Sequence, residues 1–126
     1  MWFLCRSKGH RMSEIVCKTI LQIKEGLKKR EYSDLEVTDA FISASESNKK
    51  LNFSNSFTKE KALEMAKSSQ SRIDSGEDKI LDGIPIAIKD LFCTEGTLTT
   101  ASSKILGNFI PNYESTVTQT CGMRAQ

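Results

Sequence analysis

Leu81-Asp-Gly-Ile-Pro-Ile-Ala-Ile-Lys-Asp90 is the stretch on which the fold turns. Asp82 and Gly83 read as a turn, after which Ile84, Ile86 and Ile88 alternate with Pro85, Ala87 and Lys89 at the period of a strand. Pro85, with no N–H to give a ladder, suits the start or edge of a strand. A lysine ending an apolar strand, followed by Asp90 and a loop, stands where α/β folds assemble their sites. Ile86, Ile88 and Leu91 are expected to strip water from the ammonium, and desolvation disfavours the charged form, so Lys89 is a candidate base. The competing reading is a surface lysine paired with Asp90, and spacing alone favours it.

Upstream the pattern is helical. Val16, Ile20, Ile23 and Leu27 recur at i, i+4, i+7 and i+11, one face of a first helix that ends near Lys29 or Arg30, with Gly26 weakening its last turn. Ser33 and Glu36 have capping-box spacing, and Tyr32 and Val37 stand as a hydrophobic staple, so a second helix is expected from Asp34 to about Ser47. Its stripe is Val37, Ala40, Phe41 and Ala44, and the two helices are expected to pack as a hairpin across residues 31–33. Leu51, Phe53 and Phe57 alternate with polar residues as a short strand would. Thr58 is placed to cap a third helix, where Ala62, Ala66, Ser69 and Ile73 form a small-residue stripe suited to a close neighbour and Gly76 supplies the stop.

Downstream of Cys93 the chain is rich in Thr, Gly and Ser, which is loop material with one helical turn at residues 103–106. Residues 111–114 make a further break, and although Ser115 is placed to cap a last helix, no apolar stripe follows and none is expected to develop. The S-x-x-K pairs Ser47/Lys50 and Ser56/Lys59 come without the companion motifs that would give them meaning. Ser102 and Ser103 read as loop or capping hydroxyls. Cys5, Cys17, Cys93 and Cys121 form no C-x-x-C pair, and Cys5, His10 and Cys17 have no fourth ligand nearby, so free thiols and no metal are expected. There is no G-x-G-x-x-G, Walker loop or H-E-x-x-H, and no cofactor is expected.

The chain has 126 residues, 38% hydrophobic and 27% charged, which is ordinary for a globular domain or part of one. No apolar run approaches the ~20 residues of a membrane span, and the apolar opening Trp2-Phe3-Leu4-Cys5 is too short for a signal peptide, so a cytoplasmic location is expected. The net charge of +2 hides an asymmetry: residues 1–30 hold eight basic and two acidic side chains. Such a head could meet RNA, an anionic surface or an acidic partner, but a solvated helix face is the plainer reading.

The stretch from Leu81 through the loop Cys93-Thr-Glu-Gly-Thr-Leu-Thr-Thr100, continuing from Ser103 to Val117, resembles the amidase signature family. Within that family it is nearest to the branch formed by the A subunits of glutamyl-tRNA(Gln) amidotransferases. The resemblance covers about residues 13–119. It implies an α/β fold, the amino-terminal part of a mixed sheet flanked by helices with a leading helical hairpin, and amide hydrolysis by a Ser, cis-Ser, Lys triad. Lys89 matches the family's catalytic lysine. The implied reaction releases ammonia from glutamine to convert Glu-tRNA(Gln) to Gln-tRNA(Gln). By the same resemblance the partners are subunits B and C of a heterotrimer and, through them, tRNA, in the cytoplasm or in an organelle of a eukaryote. No direct nucleic-acid site and no membrane contact are implied.

Of the triad only Lys89 is present, because the Gly- and Ser-rich segment that supplies the nucleophile and the bridging serine comes later in the family. The expectation is three parts: an unmatched leader at 1–11, the amino-terminal portion of an amidase domain at 12–119, and an unmatched tail at 120–126, as a truncation or frameshift would leave. A lone base without nucleophile or oxyanion hole should be inactive, since those groups act as a unit. Residues 12–119 carry −2, so the basic balance lies largely in the ends. Two other readings stand beside this one: a non-catalytic partner- or RNA-binding helical module, and a separately encoded remainder that completes the enzyme in trans.

Overall fold

A capping box that the apolar stripe conceals sets where the first helix starts. The Thr19 hydroxyl accepts from the Gln22 amide at 3.3 Å while the Gln22 side chain accepts from the Thr19 amide at 2.9 Å, and α1 runs over Ile20–Lys28. The computed structural model describes residues 14–125, so the leader at 1–11, with Cys5 and His10, lies outside the described residues. Because the helix begins afresh at Thr19, the stripe shifts: Ile20 is 56% exposed, whereas Ile15, Ile23 and Leu27 are buried. Val16 only packs against that core.

The second helix, α2 at Asp34–Ser47, is as the sequence predicts. Ser33 and Glu36 form the reciprocal capping box, and Tyr32 joins Val37 and Ala40 in the core. Gly26 does more than weaken a turn. A Cβ there would stand 2.1 Å from the Tyr32 hydroxyl, which donates to the carbonyls of Gln22 and Ile23 at 3.0 and 3.2 Å. Glycine lets the tyrosine close over the last turn of α1.

After a 3-10 turn at Lys49–Leu51, Leu51, Phe53 and Phe57 are exposed and form no strand; the two phenyl rings meet edge to face instead. Thr58 occupies the N-cap position of α3, Lys59–Ser75, but makes no side-chain capping bond. Ala66 and Ser69 on α3 are buried, and α3 lies closest along its length to α2. The hairpin expected between α1 and α2 is therefore corrected. Those two share core side chains, but the closely paired helices are α2 and α3, whose small residues allow the approach. Gly76 ends α3 in the left-handed conformation at φ 77°.

Among the described residues there are four α-helices and no strand. The segment from Ile84 to Lys89 carries a strand's alternation, yet nothing described lies beside it to form a ladder, and pairing across sequence is what periodicity cannot report. The turn at residues 103–106 is present as bonds from Leu106 and Gly107 to the carbonyls of Ser103 and Lys104, without becoming a helix. A last helix does form, against expectation: α4 spans Thr116–Ala125, capped by the Ser115 hydroxyl accepting from the Thr118 amide at 3.2 Å. Its start needs a cap, not a stripe.

Candidate functional site

The turn before Lys89 is clamped by an ion pair whose carboxylate is buried. Arg72 on α3 donates twice to Asp82, at 3.0 and 2.6 Å, and the Lys79 amide donates to the same carboxylate at 2.9 Å. Burial pushes the Asp82 carboxyl up, but the Arg72 and Lys79 bonds outweigh it and leave it below the ordinary range. Gly83 follows at φ 76°, its amide donating to the Ser69 hydroxyl at 2.8 Å, and a Cβ there would stand 2.3 Å from Leu27. From this anchor Ile84 leans on the core, and past the half-buried Pro85 the chain leaves it: Ile86, Ala87, Ile88 and Lys89 are exposed.

Lys89 thus reaches solvent. The apolar residues expected to strip water from it are themselves open, Ile86 at 46%, Ile88 at 41% and Leu91 at 59% exposure. That expectation is corrected. The alternative, a pair with Asp90, fails as well, because the Lys89 ammonium makes no hydrogen bond or ion pair among the described residues and the Asp90 carboxylate is used elsewhere.

Asp90 is a junction, more than the counter-ion that its place beside Lys89 suggests. Its carboxylate accepts from the Thr100 amide at 2.7 Å, from the Thr100 hydroxyl, from the Asn55 side chain at 2.7 Å and from the Ser102 amide at 3.4 Å. Its carbonyl accepts from the Ala101 amide at 3.0 Å. These bonds hold Ala101 and Ser102 at φ 48° and 57°, a left-handed conformation that costs residues with a Cβ about 1 kcal/mol each. Nothing in the spacing of Asn55, Asp90 and Thr100 announces the junction. The Thr100 hydroxyl and amide hold the Asp90 carboxyl far below its ordinary 3.8, with Asn55 adding to the effect. A depressed carboxyl contributes its stability fully above pH 3.8 and loses it as pH falls through the folded value. The carboxyl carbon of Asp90 should therefore titrate well below 3.8 in an NMR series; a midpoint at 3.8 or above contradicts the junction.

The loop that follows is stitched without a ladder. Gly96 donates to Pro111 and Thr99 to Phe109, both at 3.0 Å, and Ser115 donates to the Cys93 carbonyl at 2.8 Å. The Cys93 thiol meets the Tyr113 hydroxyl at 3.3 Å, and Lys61 on α3 donates to the Glu95 carbonyl at 2.9 Å. Ser103 carries a loop hydroxyl, accepting from the Ile105 amide at 3.3 Å. The S-x-x-K pairs do not meet: Ser47 bonds the Ser43 carbonyl, and Lys59 lies 3.8 Å from Glu46. Cys17, Cys93 and Cys121 are free thiols.

The cations of α1 serve the fold. Lys24 donates to the carbonyls of Lys79 and Ile80 at 2.7 and 2.8 Å and lies 3.6 Å from Asp78, while Lys29 pairs with Glu25 at 2.7 Å. Lys18 sits 4.9 Å over the Tyr32 ring. This is a helix face tied to the loop before the Asp82 turn, which weighs against the RNA-binding reading. No helix among the described residues is long and apolar enough to cross a membrane.

Comparison with known proteins places this geometry. The A subunit of the glutamyl-tRNA(Gln) amidotransferase of Xanthobacter autotrophicus is 51% identical over 107 residues, which cover 85% of this chain and 22% of that protein. The same subunit from Hyphomonas neptunium is 48% identical over 108 residues, covering 86% and 22%, and that from Azorhizobium caulinodans is 47% identical over 100 residues, covering 79% and 20%. The chain thus spans about a fifth of the length of the curated relatives it matches. The Amidase family model matches residues 36–123, from the capping box of α2 through Lys89 and the Asp90 junction into α4. With more than half of its residues so matched, the chain belongs to the amidase family.

Proposed function

We propose that this chain is the front portion of a glutamine-hydrolysing amidase domain, the glutaminase subunit of a glutamyl-tRNA(Gln) amidotransferase, and that Lys89 is its proton-shuttling lysine. The observation that carries the reading is Lys89 itself: an ammonium with no partner among the described residues, between two clamped turns and inside a stretch 51% identical to such a subunit. In the complete domain a serine attacks the side-chain carbonyl of glutamine, its proton passing through a bridging serine to the Lys89 amine. The lysine then returns the proton to the departing ammonia, and water hydrolyses the acyl-serine to give glutamate. Cover over Ile86, Ile88 and Leu91 would remove water from the lysine and favour its neutral amine.

On this reading residues 12–119 are the amino-terminal portion of the domain; the family match over residues 36–123 supports it for the part from residue 36 on and reaches four residues into the stretch expected to be an unmatched tail. The mixed sheet flanked by helices, subunits B and C and tRNA as partners, and a cytoplasmic or organellar location all belong to the same proposal. The reading puts the serine nucleophile in the part of the domain outside the matched stretch, so the matched portion by itself should be inactive.

A chimera joining residues 1–119 to the part of the Xanthobacter relative beyond its matched stretch tests this. It should hydrolyse glutamine, and Lys89→Ala should lower kcat by about 1,000-fold or more. Glutamine hydrolysis by the chain alone, or full activity in the Lys89→Ala chimera, overturns the reading.

A further inference from the structure

Lys89 and Asp90 carry opposite charges on adjacent residues, yet the ammonium has no partner among the described residues while the carboxylate is bonded to Asn55, Thr100 and Ser102. The backbone of the pair is fixed, with the Phe92 amide donating to the Lys89 carbonyl and the Ala101 amide to the Asp90 carbonyl, both at 3.0 Å. What decides whether the two charges meet is therefore the Asp90 side chain. Its Oδ1 accepts from the Thr100 amide, and its Oδ2 from the Thr100 hydroxyl and the Ser102 amide, all in the loop that follows. One more bond to Oδ2 comes from outside that loop, from Asn55 Nδ2 at 2.7 Å. Asn55 is held in place to make it. The Ser54 hydroxyl donates to the Ser56 carbonyl at 2.7 Å, and the rings of Phe53 and Phe57 meet edge to face with centroids 6.2 Å apart, so both contacts close around Asn55. Phe53 and Phe57 are exposed, and closing this loop adds nothing to the core.

We propose that Asn55 is a positioning residue for Lys89: by filling Oδ2 of Asp90 with a neutral donor, it keeps that carboxylate from becoming the counter-ion of the adjacent ammonium. The use of the unpaired amine for proton transfer rests on the functional reading above, whereas the denied ion pair does not. A carboxylate with an open acceptor position draws in an ammonium within reach, and a counter-ion favours the charged form of an amine, which cannot accept a proton. An amide donor occupies the position and leaves the charge count unchanged. Thr100 and Ser102 also bond Asp90, but they belong to the turn that holds Ala101 and Ser102 in the left-handed conformation, which gives their bonds a local structural use. Asn55 stands outside that turn, at an exposed position 35 residues from Asp90.

Brief acetylation of the chain with trace acetic anhydride, read for each lysine by mass spectrometry, provides the test, with the exposed Lys67 of α3 as internal reference. Asn55→Ala should slow acetylation of Lys89 relative to Lys67 by about threefold, and 1 M salt should remove most of the slowing. Asn55→Gln, which keeps the amide donor, should react as the parent does. Adding Asp90→Asn to Asn55→Ala should restore the parent rate, because no carboxylate is left to pair. In the chimera, Asn55→Ala should lower kcat about tenfold with KM within about twofold of the parent, since cover over the site strengthens the pair. Acetylation of Lys89 unchanged or faster in Asn55→Ala means that the bond only steadies the loop and overturns the proposal, as does slowing that persists in the Asn55→Ala/Asp90→Asn chain. Slowed acetylation together with a parent chimera that does not hydrolyse glutamine leaves this proposal standing and sinks the functional reading. A chimera that hydrolyses glutamine with kcat indifferent to Asn55→Ala does the reverse.

Discussion

Asp82→Ala should lower the stability of the chain by about 3 kcal/mol, measured by urea unfolding followed through helical circular dichroism. The carboxylate is buried and accepts three bonds, two from Arg72 and one from the Lys79 amide, so its removal costs charge-assisted bonds rather than a surface contact. It also loosens the turn that sets Gly83 under Leu27 and aims the chain toward Lys89. Arg72→Met should cost at least as much as Asp82→Ala, because it leaves the buried carboxylate without its cation while the guanidinium is partly exposed, and the double variant should cost less than the two added together. A loss below about 1 kcal/mol for Asp82→Ala would mean the clamp is ornamental.

The pH dependence carries two opposite signs. Asp82 is depressed in the folded chain, so its contribution is full above 3.8 and declines as pH falls through the folded value. Asp34, in the first turn of α2, is raised, chiefly by burial and against the bonds that its neighbouring hydroxyls offer. A raised carboxyl does the reverse: the folded chain binds its proton first and gains relative stability as pH falls from the raised value towards 3.8. Together they give a stability maximum on the acid side of neutrality. Asp82→Asn should flatten the loss of stability below that maximum, and Asp34→Asn the loss above it.

How much of this is legible in the sequence depends on how far each interaction reaches. The capping box at Ser33 and Glu36, the stripe of α2 and the stop at Gly76 are settled within a few residues, and they stand as read. Val16 and Ile20 mislead because periodicity counts apolar residues without asking where the helix starts, and the Thr19–Gln22 box starts it later. The strand from Ile84 fails for a different reason. Its alternation is real, but a ladder needs a neighbour, and none of the described residues supplies one. For the site, Lys89 is legible as a lysine ending an apolar run, whereas its exposure and the tie from Asp90 to Asn55, 35 residues away, are not. Contacts of that span leave no local pattern.

Gly26→Ala is where helix propensity and packing disagree most sharply. Propensity alone predicts that alanine in the last turn of α1 stabilises by about 1 kcal/mol. The structure predicts a net loss of about 2 kcal/mol, because the new methyl would stand 2.1 Å from the Tyr32 hydroxyl and 2.2 Å from the ring carbon that bears it. Tyr32 must then swing out, giving up its bonds to the carbonyls of Gln22 and Ile23 and its place beside Val37 and Ala40. Tyr32→Phe would not relieve the clash, since the ring itself is in the way. Tyr32→Ala would, so in a double-mutant cycle Gly26→Ala should be destabilising beside Tyr32 and neutral or stabilising beside Ala. A Gly26→Ala chain more stable than the parent with Tyr32 present would show that the ring yields without cost, and that the glycine is there for reasons other than this approach.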